Sequence, residues 1–237
     1  MSGTLTVIES GRLAAEAARR ISVAAADAVA TRGRFVLALA GGSTPRTLYG
    51  ALAEGAGGPV PWAATTILFG DERAVAPGHP HSNYGMARET LLSRVPLDPD
   101  RIHRMEGEAD LEEAADRYER VLTRLFPGEP LPRIDLVLLG LGADGHTASL
   151  FPGSPALEET VRWVVPVDLP GKERRLTLTL PVLNAAHRVL FLVAGAEKAR
   201  ALARAFGPEP DLSLPAALIR PMGGTLEVLA DREAAGA

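Results

Sequence analysis

The 237 residues carry 25 Lys+Arg against 29 Asp+Glu, a formal net charge of -4, with 46% hydrophobic residues, 23% charged residues and no cysteine. That balance disfavours a nucleic-acid partner, and the missing thiols exclude disulfides, thiolate metal sites and cysteine nucleophiles. A chain of this length can bury a sizeable core, its start lacks the basic and apolar regions of a signal peptide, and apolar runs such as Phe35–Ala40 are far shorter than the ~20 residues of a membrane span.

In chain order, Leu5–Glu9 reads as a strand and the Ala-rich Leu13–Ala30 as a helix. Arg34–Ala40 (RFVLALA) is a continuous apolar run, which suits a strand buried on both faces. Gly41-Gly42-Ser43-Thr44-Pro45 follows and leads into a helix over Pro45–Leu52. Two glycines permit a tight turn, Ser43 or Thr44 can cap the helix, and the N–H groups at its start favour a phosphate. The same residues also make an ordinary strand–turn–helix joint, and they match neither GxGxxG nor a P-loop. Thr65–Gly70 is a second buried strand. The Asp71-Glu72-Arg73 that follows either lines a crevice mouth or forms a solvated loop with a local ion pair. His79 and His81 have no third ligand nearby in sequence, so no metal site is expected. Ser82 or Asn83 is the expected cap of a helix over Asn83–Leu92.

Leu111–Leu125 reads as a helix and Ile134–Leu139 as a third buried strand. Gly140–Gly153 (GLGADGHTASLFPG) is the most informative stretch, with backbone freedom from Gly140, Gly142 and Gly145 and with Asp144 two residues before His146. A histidine, with an unperturbed pKa of ~6.5, can take and return a proton near neutrality. A carboxylate can fix its tautomer, although spacing alone does not bring the two together. Val161–Val167 and Arg175–Leu180 (RLTLTL) are strands, the second alternating and so expected to have one less buried face. Val189–Ala194 is again continuously apolar, Glu197–Phe206 reads as a helix and Thr225–Leu229 as a last strand. Lys198 is one of only two lysines, with Lys172, and it stands at a helix start, where a cation opposes the dipole and points to an anion partner. His103 and His187 lie beside strands and read as structural. The alternation predicts an α/β fold, an open and mostly parallel sheet flanked by helices with ligands bound beyond the strands' carboxyl ends. One domain is expected over residues 1–237, with a disordered tail over about 234–237.

On GGSTP (41–45), DER (71–73), SNY (82–84), GLGADGHTASLFPG (140–153), RLTLTLP (175–181) and GAEKA (195–199), the chain resembles the glucosamine-6-phosphate isomerase/6-phosphogluconolactonase family over most of its length. DER and HTASLFPG favour the lactonases. The deaminases would carry an acid before the Pro-Gly, where this chain has Leu150-Phe151. The resemblance implies a modified Rossmann-like catalytic domain with neither metal nor cofactor. The implied activity is hydrolysis of 6-phospho-D-glucono-1,5-lactone in the oxidative pentose phosphate pathway. It implies His146 as base, Asp144 as its orienting partner, Arg73 facing the substrate, and a phosphate held among Gly41, Gly42, Ser43, Thr44, Arg175 and Lys198, with Asp71 beside them. A small sugar-phosphate lactone is the expected partner, with no nucleic acid or membrane, in a cytoplasmic monomer or weak homo-oligomer. The rival readings are a deaminase/isomerase and a non-catalytic sugar-phosphate-binding module.

Overall fold

In the computed structural model, which describes residues 3–236, nine strands form two sheets. The strands are β1 (Thr4–Ile8), β2 (Phe35–Leu39), β3 (Thr65–Phe69), β4 (Asp71–Arg73), β5 (Leu136–Gly140), β6 (Val164–Val167), β7 (Arg175–Leu178), β8 (Arg188–Val193) and β9 (Thr225–Asp231). The larger sheet has the order β1-β9-β8-β5-β2-β3 and every pairing in it is parallel. The helices are α1 (Leu13–Arg32), α2 (Ser43–Ala53), α3 (Asn83–Ala87), α4 (Leu111–Leu125), α5 (Leu180–Ala185), α6 (Ala199–Phe206) and α7 (Arg232–Ala235). Among the described residues no helix is long and apolar enough to cross a membrane.

The apolar runs are continuous because both faces of the sheet are covered. Phe35, Leu37 and Leu39 of β2 pack with Ala17, Ile21 and Leu48 of α1 and α2. Val36 and Ala38 point the other way, into a cluster with Ala115, Tyr118 and Leu122 of α4. Successive side chains alternate between the faces, so each strand serves two cores. The chain runs from β2 outward to β3 and later returns to the other side of β2 as β5, so the strand order reverses there. A crevice outside the carboxyl ends at such a switch point is where ligands bind in open α/β sheets.

Several elements differ from expectation. Asp71–Arg73 is a strand, pairing antiparallel with β7, and β7 pairs in turn with β6. The alternating β7 has no water-facing side along Leu176–Leu178. Thr177 is fully buried, and its Oγ1 lies 3.3 Å from Ser149 N because the turn at 147–150 covers that face. The strand also stops at Leu178, and Leu180 opens α5. Neither Ser43 nor Thr44 caps α2; the N-cap is Gly42 at φ 108°, and no side chain bonds to the helix start. Ser82 does cap α3, accepting from Gly85 N at 2.9 Å, and a π-helical turn over Arg88–Leu92 completes that element. In place of a disordered end, Arg232–Ala235 is helical, with Asp231 accepting from Ala234 N at 2.7 Å and Ala234 buried. Ala237 lies outside the described residues.

Candidate active site

The loops after β2, β3, β5 and β8 enclose a pocket of about 180 Å³ at the switch point. Gly41, Gly42, Asp71, Arg73, His146, Arg175 and Lys198 all line it. Asp144 stands behind His146 outside the lining. Ser43 and Thr44 open instead on a neighbouring cavity against Leu13 and Ala17 of α1. Arg174 turns away to pair with Asp168 at 3.0 Å.

The loop after β5 folds back on itself to present His146. Gly142 N donates to His146 O at 2.8 Å, and a Cβ at Gly142 would lie 2.0 Å from His146 Nδ1, so only glycine fits there. Asp144 Oδ1 is 2.5 Å from His146 Nδ1 and accepts from His146 N at 3.1 Å. Partial burial works to raise the Asp144 carboxyl. The hydrogen bonds from the His146 ring and backbone, with the Lys172 charge, outweigh it and hold the carboxyl below the usual range. An ionised carboxylate only accepts, so Nδ1 carries the proton and Nε2 is the ring's free lone pair. The ring leans on Phe151 at 4.6 Å between centroids. Ala148, in the following turn, is the single non-glycine residue at positive φ (46°) among those described, and it also lines the pocket. Such strain is characteristic of functional turns.

The same pocket is cationic. Arg73 and Arg175 are direct cross-strand partners in β4 and β7, an arrangement in which like charges repel. The Nε of each is buried without a hydrogen-bond partner. Burial and the neighbouring Arg73 charge push Arg175 below the usual arginine range. Arg73 is aimed by one bond, from its terminal nitrogen to His81 O at 2.7 Å, and Arg175 lies 4.0 Å from Asp71. Lys198 is the N-cap residue of α6, and its recorded ion pair is to its own sequence neighbour Glu197, at 3.9 Å. Unsatisfied buried donors, and an excess of cations over the Asp71 carboxylate in the pocket lining, call for an anion.

Three residues have supporting roles that the reading of the sequence did not assign to them. Asn83, 2% exposed, lines the pocket, donates to Asp71 O at 2.9 Å, and presses so close to Gly41 that a Cβ there would meet its Oδ1 at 1.9 Å. Ser149 donates to Asp71 Oδ2 at 2.6 Å and fixes that carboxylate. Glu72 is buried beneath them, accepting from Arg73 N, Asn83 N and Tyr84 N at 2.7–2.8 Å. Burial pushes its carboxyl above the usual range despite those bonds. Asn83 and Ser149 sit inside the SNY and HTAS motifs, so motif membership was the available signal. His103 and His187 lie off this pocket, each lowered by burial. His81 pairs with Glu173 at 2.7 Å, and among the described residues no three His, Cys, Asp or Glu side chains converge as a metal site.

A family model described as glucosamine-6-phosphate isomerases/6-phosphogluconolactonase matches residues 9–228. The chain is 45% identical over 206 residues to the 6-phosphogluconolactonase of a Synechocystis species, covering 85% of this chain and 84% of that one. It is 41% identical over 239 residues to that of Homo sapiens, covering 98% and 93%. The solved 6-phosphogluconolactonase of Trypanosoma brucei superposes with a TM-score of 0.86 at 30% identity, covering 99% and 98%. A monomeric glucosamine-6-phosphate deaminase does so with 0.78 at 25%, covering 98% and 99%. Fold and pocket together define an α/β enzyme with a small cationic site at its sheet's switch point. The chain belongs to the glucosamine-6-phosphate isomerase/6-phosphogluconolactonase family, and it stands with that family's lactone hydrolases.

Proposed function

We propose that the chain hydrolyses 6-phospho-D-glucono-1,5-lactone to 6-phosphogluconate, with His146 as general base. The observation that carries this reading is a tautomer-fixed imidazole sharing a pocket with two arginines whose buried Nε atoms have no hydrogen-bond partner. Nε2 takes a proton from water as the water oxygen bonds to C1. The carbonyl pair moves onto oxygen, and Arg73 or backbone N–H groups of the glycine-rich loops stabilise that oxyanion. When the tetrahedral centre collapses, the bond from C1 to the ring oxygen breaks. The imidazolium returns its proton to that oxygen, which becomes a hydroxyl. The new carboxylic acid ionises and releases one proton to solvent. Asp144 orients the ring and stabilises its charged form. Gly41, Gly42, the open start of α2, Arg175 and Lys198 hold the distal phosphate and fix C1 against the base.

General base catalysis is typically worth ~10²–10⁴-fold. His146→Ala should therefore lower kcat by about 10²-fold or more with little change in KM. The assay follows lactone generated freshly from glucose 6-phosphate against its uncatalysed rate. A kcat within a few-fold of wild type removes His146 as the base. The overall likeness to a deaminase keeps a second reading in view. Leu150-Phe151 before Pro152-Gly153 offers no acid for ring opening, and release of ammonia from glucosamine 6-phosphate decides that reading directly.

A further inference from the structure

Ala40 is where β2 gives way to the Gly41–Gly42 turn, and it has lost its strand neighbours. The ladder to β3 ends at Leu39 opposite Phe69, and the ladder to β5 ends at Ala38 opposite Val137. One side chain satisfies both of its backbone groups. The Tyr49 hydroxyl accepts from Ala40 N at 2.9 Å and donates to Ala40 O at 2.7 Å. A hydroxyl offers one donor and two acceptor sites, so this one stands where the N–H and C=O of a further strand would be. Tyr49 belongs to α2 and is fully buried. Burial, with the nearby Asp71 charge, pushes its hydroxyl far above the ordinary tyrosine range, so it stays a donor. The chain therefore leaves the sheet at Ala40, turns through Gly41–Gly42, enters α2 and is tied back to its point of departure. The device recurs one strand away. Tyr118 of α4 accepts from Phe69 N at 2.8 Å and points its hydroxyl toward Phe69 O and His103 O, each at 3.3 Å, just before Asp71–Arg73.

We propose that Tyr49 is a positioning residue for the anion turn: its hydroxyl sets where the Gly41–Gly42 backbone and the uncapped start of α2 meet the substrate's phosphate, without touching the substrate. This rests on the reading of that turn as the phosphate cradle. A ring that merely fills the core would keep its role as phenylalanine, whereas a hydroxyl that sets the turn would not.

The test is Tyr49→Phe, which keeps the ring. Three measurements are made: kcat and KM for the phosphorylated lactone, the Kd of 6-phosphogluconate by calorimetry, and kcat/KM for unphosphorylated glucono-1,5-lactone. We expect KM and Kd to rise about tenfold, kcat to stay within about twofold, and the unphosphorylated lactone to be little affected. Partial unfolding would lower the calorimetric stoichiometry and the apparent kcat for both lactones in equal proportion, leaving KM and Kd alone. Unchanged KM and Kd, or equal losses on both lactones, overturn the assignment. If the wild-type chain neither turns over the phosphorylated lactone nor binds 6-phosphogluconate, the functional reading falls and this one falls with it.

Discussion

The chemistry at residue scale turns on which proton sits on which atom. Asp144 is ionised, so it holds the His146 proton on Nδ1 and leaves Nε2 to the pocket. Asp144→Asn preserves size, but its amide can turn a donor toward Nδ1 and favour the other tautomer. It should lower kcat by about 10²-fold or more while KM changes little. The pH dependence follows in sign. The Asp144 carboxyl lies below its ordinary value in the folded protein, so it stays charged throughout the neutral range. Loss of the Asp144 charge should therefore lower kcat/KM only on the acid side of the ordinary carboxylate range. An Asp144→Asn enzyme of wild-type kcat counts against the dyad. At this scale the sequence was legible where chemistry and motif coincided, at Asp144, His146 and the ill-placed Lys198. It was not legible at Asn83 and Ser149. A short polar side chain at a helix start, as Asn83, reads first as a cap, and one in a turn, as Ser149, as part of the turn; the second task of each depends on residues far along the chain.

At the scale of elements, burial explains both what could be read and what could not. Runs such as Phe35–Leu39 announce themselves because a strand covered on both faces has no polar positions. Asp71–Arg73 carries no such signal. Three charged residues become a strand because β7 offers them a ladder and Glu72 is taken up by the N–H groups at the start of α3. Tertiary context overrides weak β-propensity there. The ties between elements make their own prediction. Arg20 of α1 bonds Glu16 at 2.8 Å and reaches Glu227 of β9 at 2.6 Å. The hydrogen bond from Arg19, aided by Arg20, lowers the Glu16 carboxyl from 4.5 to about 2. A depressed folded value means stability that is present above 4.5 and is lost as pH falls through about 2. Glu16→Gln should therefore be slightly less stable than wild type at neutral pH, and the gap in urea midpoint should narrow as pH falls below 4.5. Its lactonase kinetics should be unchanged. A gap that widens on acidification would reverse the assigned sign.

Across the whole molecule, the switch point gathers loops from both halves of the chain around one charge imbalance. Arg73 and Arg175 face each other across β4 and β7 with buried, unpartnered Nε atoms, and Lys198 arrives from the far side of β5 on the β8 loop. The two guanidinium charges repel each other, and a bound anion relieves that repulsion. Product binding should therefore stabilise the protein as a unit. At a hundred times its Kd, 6-phosphogluconate adds about 2.7 kcal/mol. For a chain of this size that raises Tm by about 5–10 °C in a calorimetric scan. Gluconate has the same carboxylate and hydroxyls but no phosphate, so at equal concentration it should give a small fraction of that rise. Arg175→Ala should shrink the 6-phosphogluconate shift toward the gluconate value. If gluconate and 6-phosphogluconate shift Tm equally, the cations are not a phosphate cradle, and their crowding in this pocket serves the oxyanion alone.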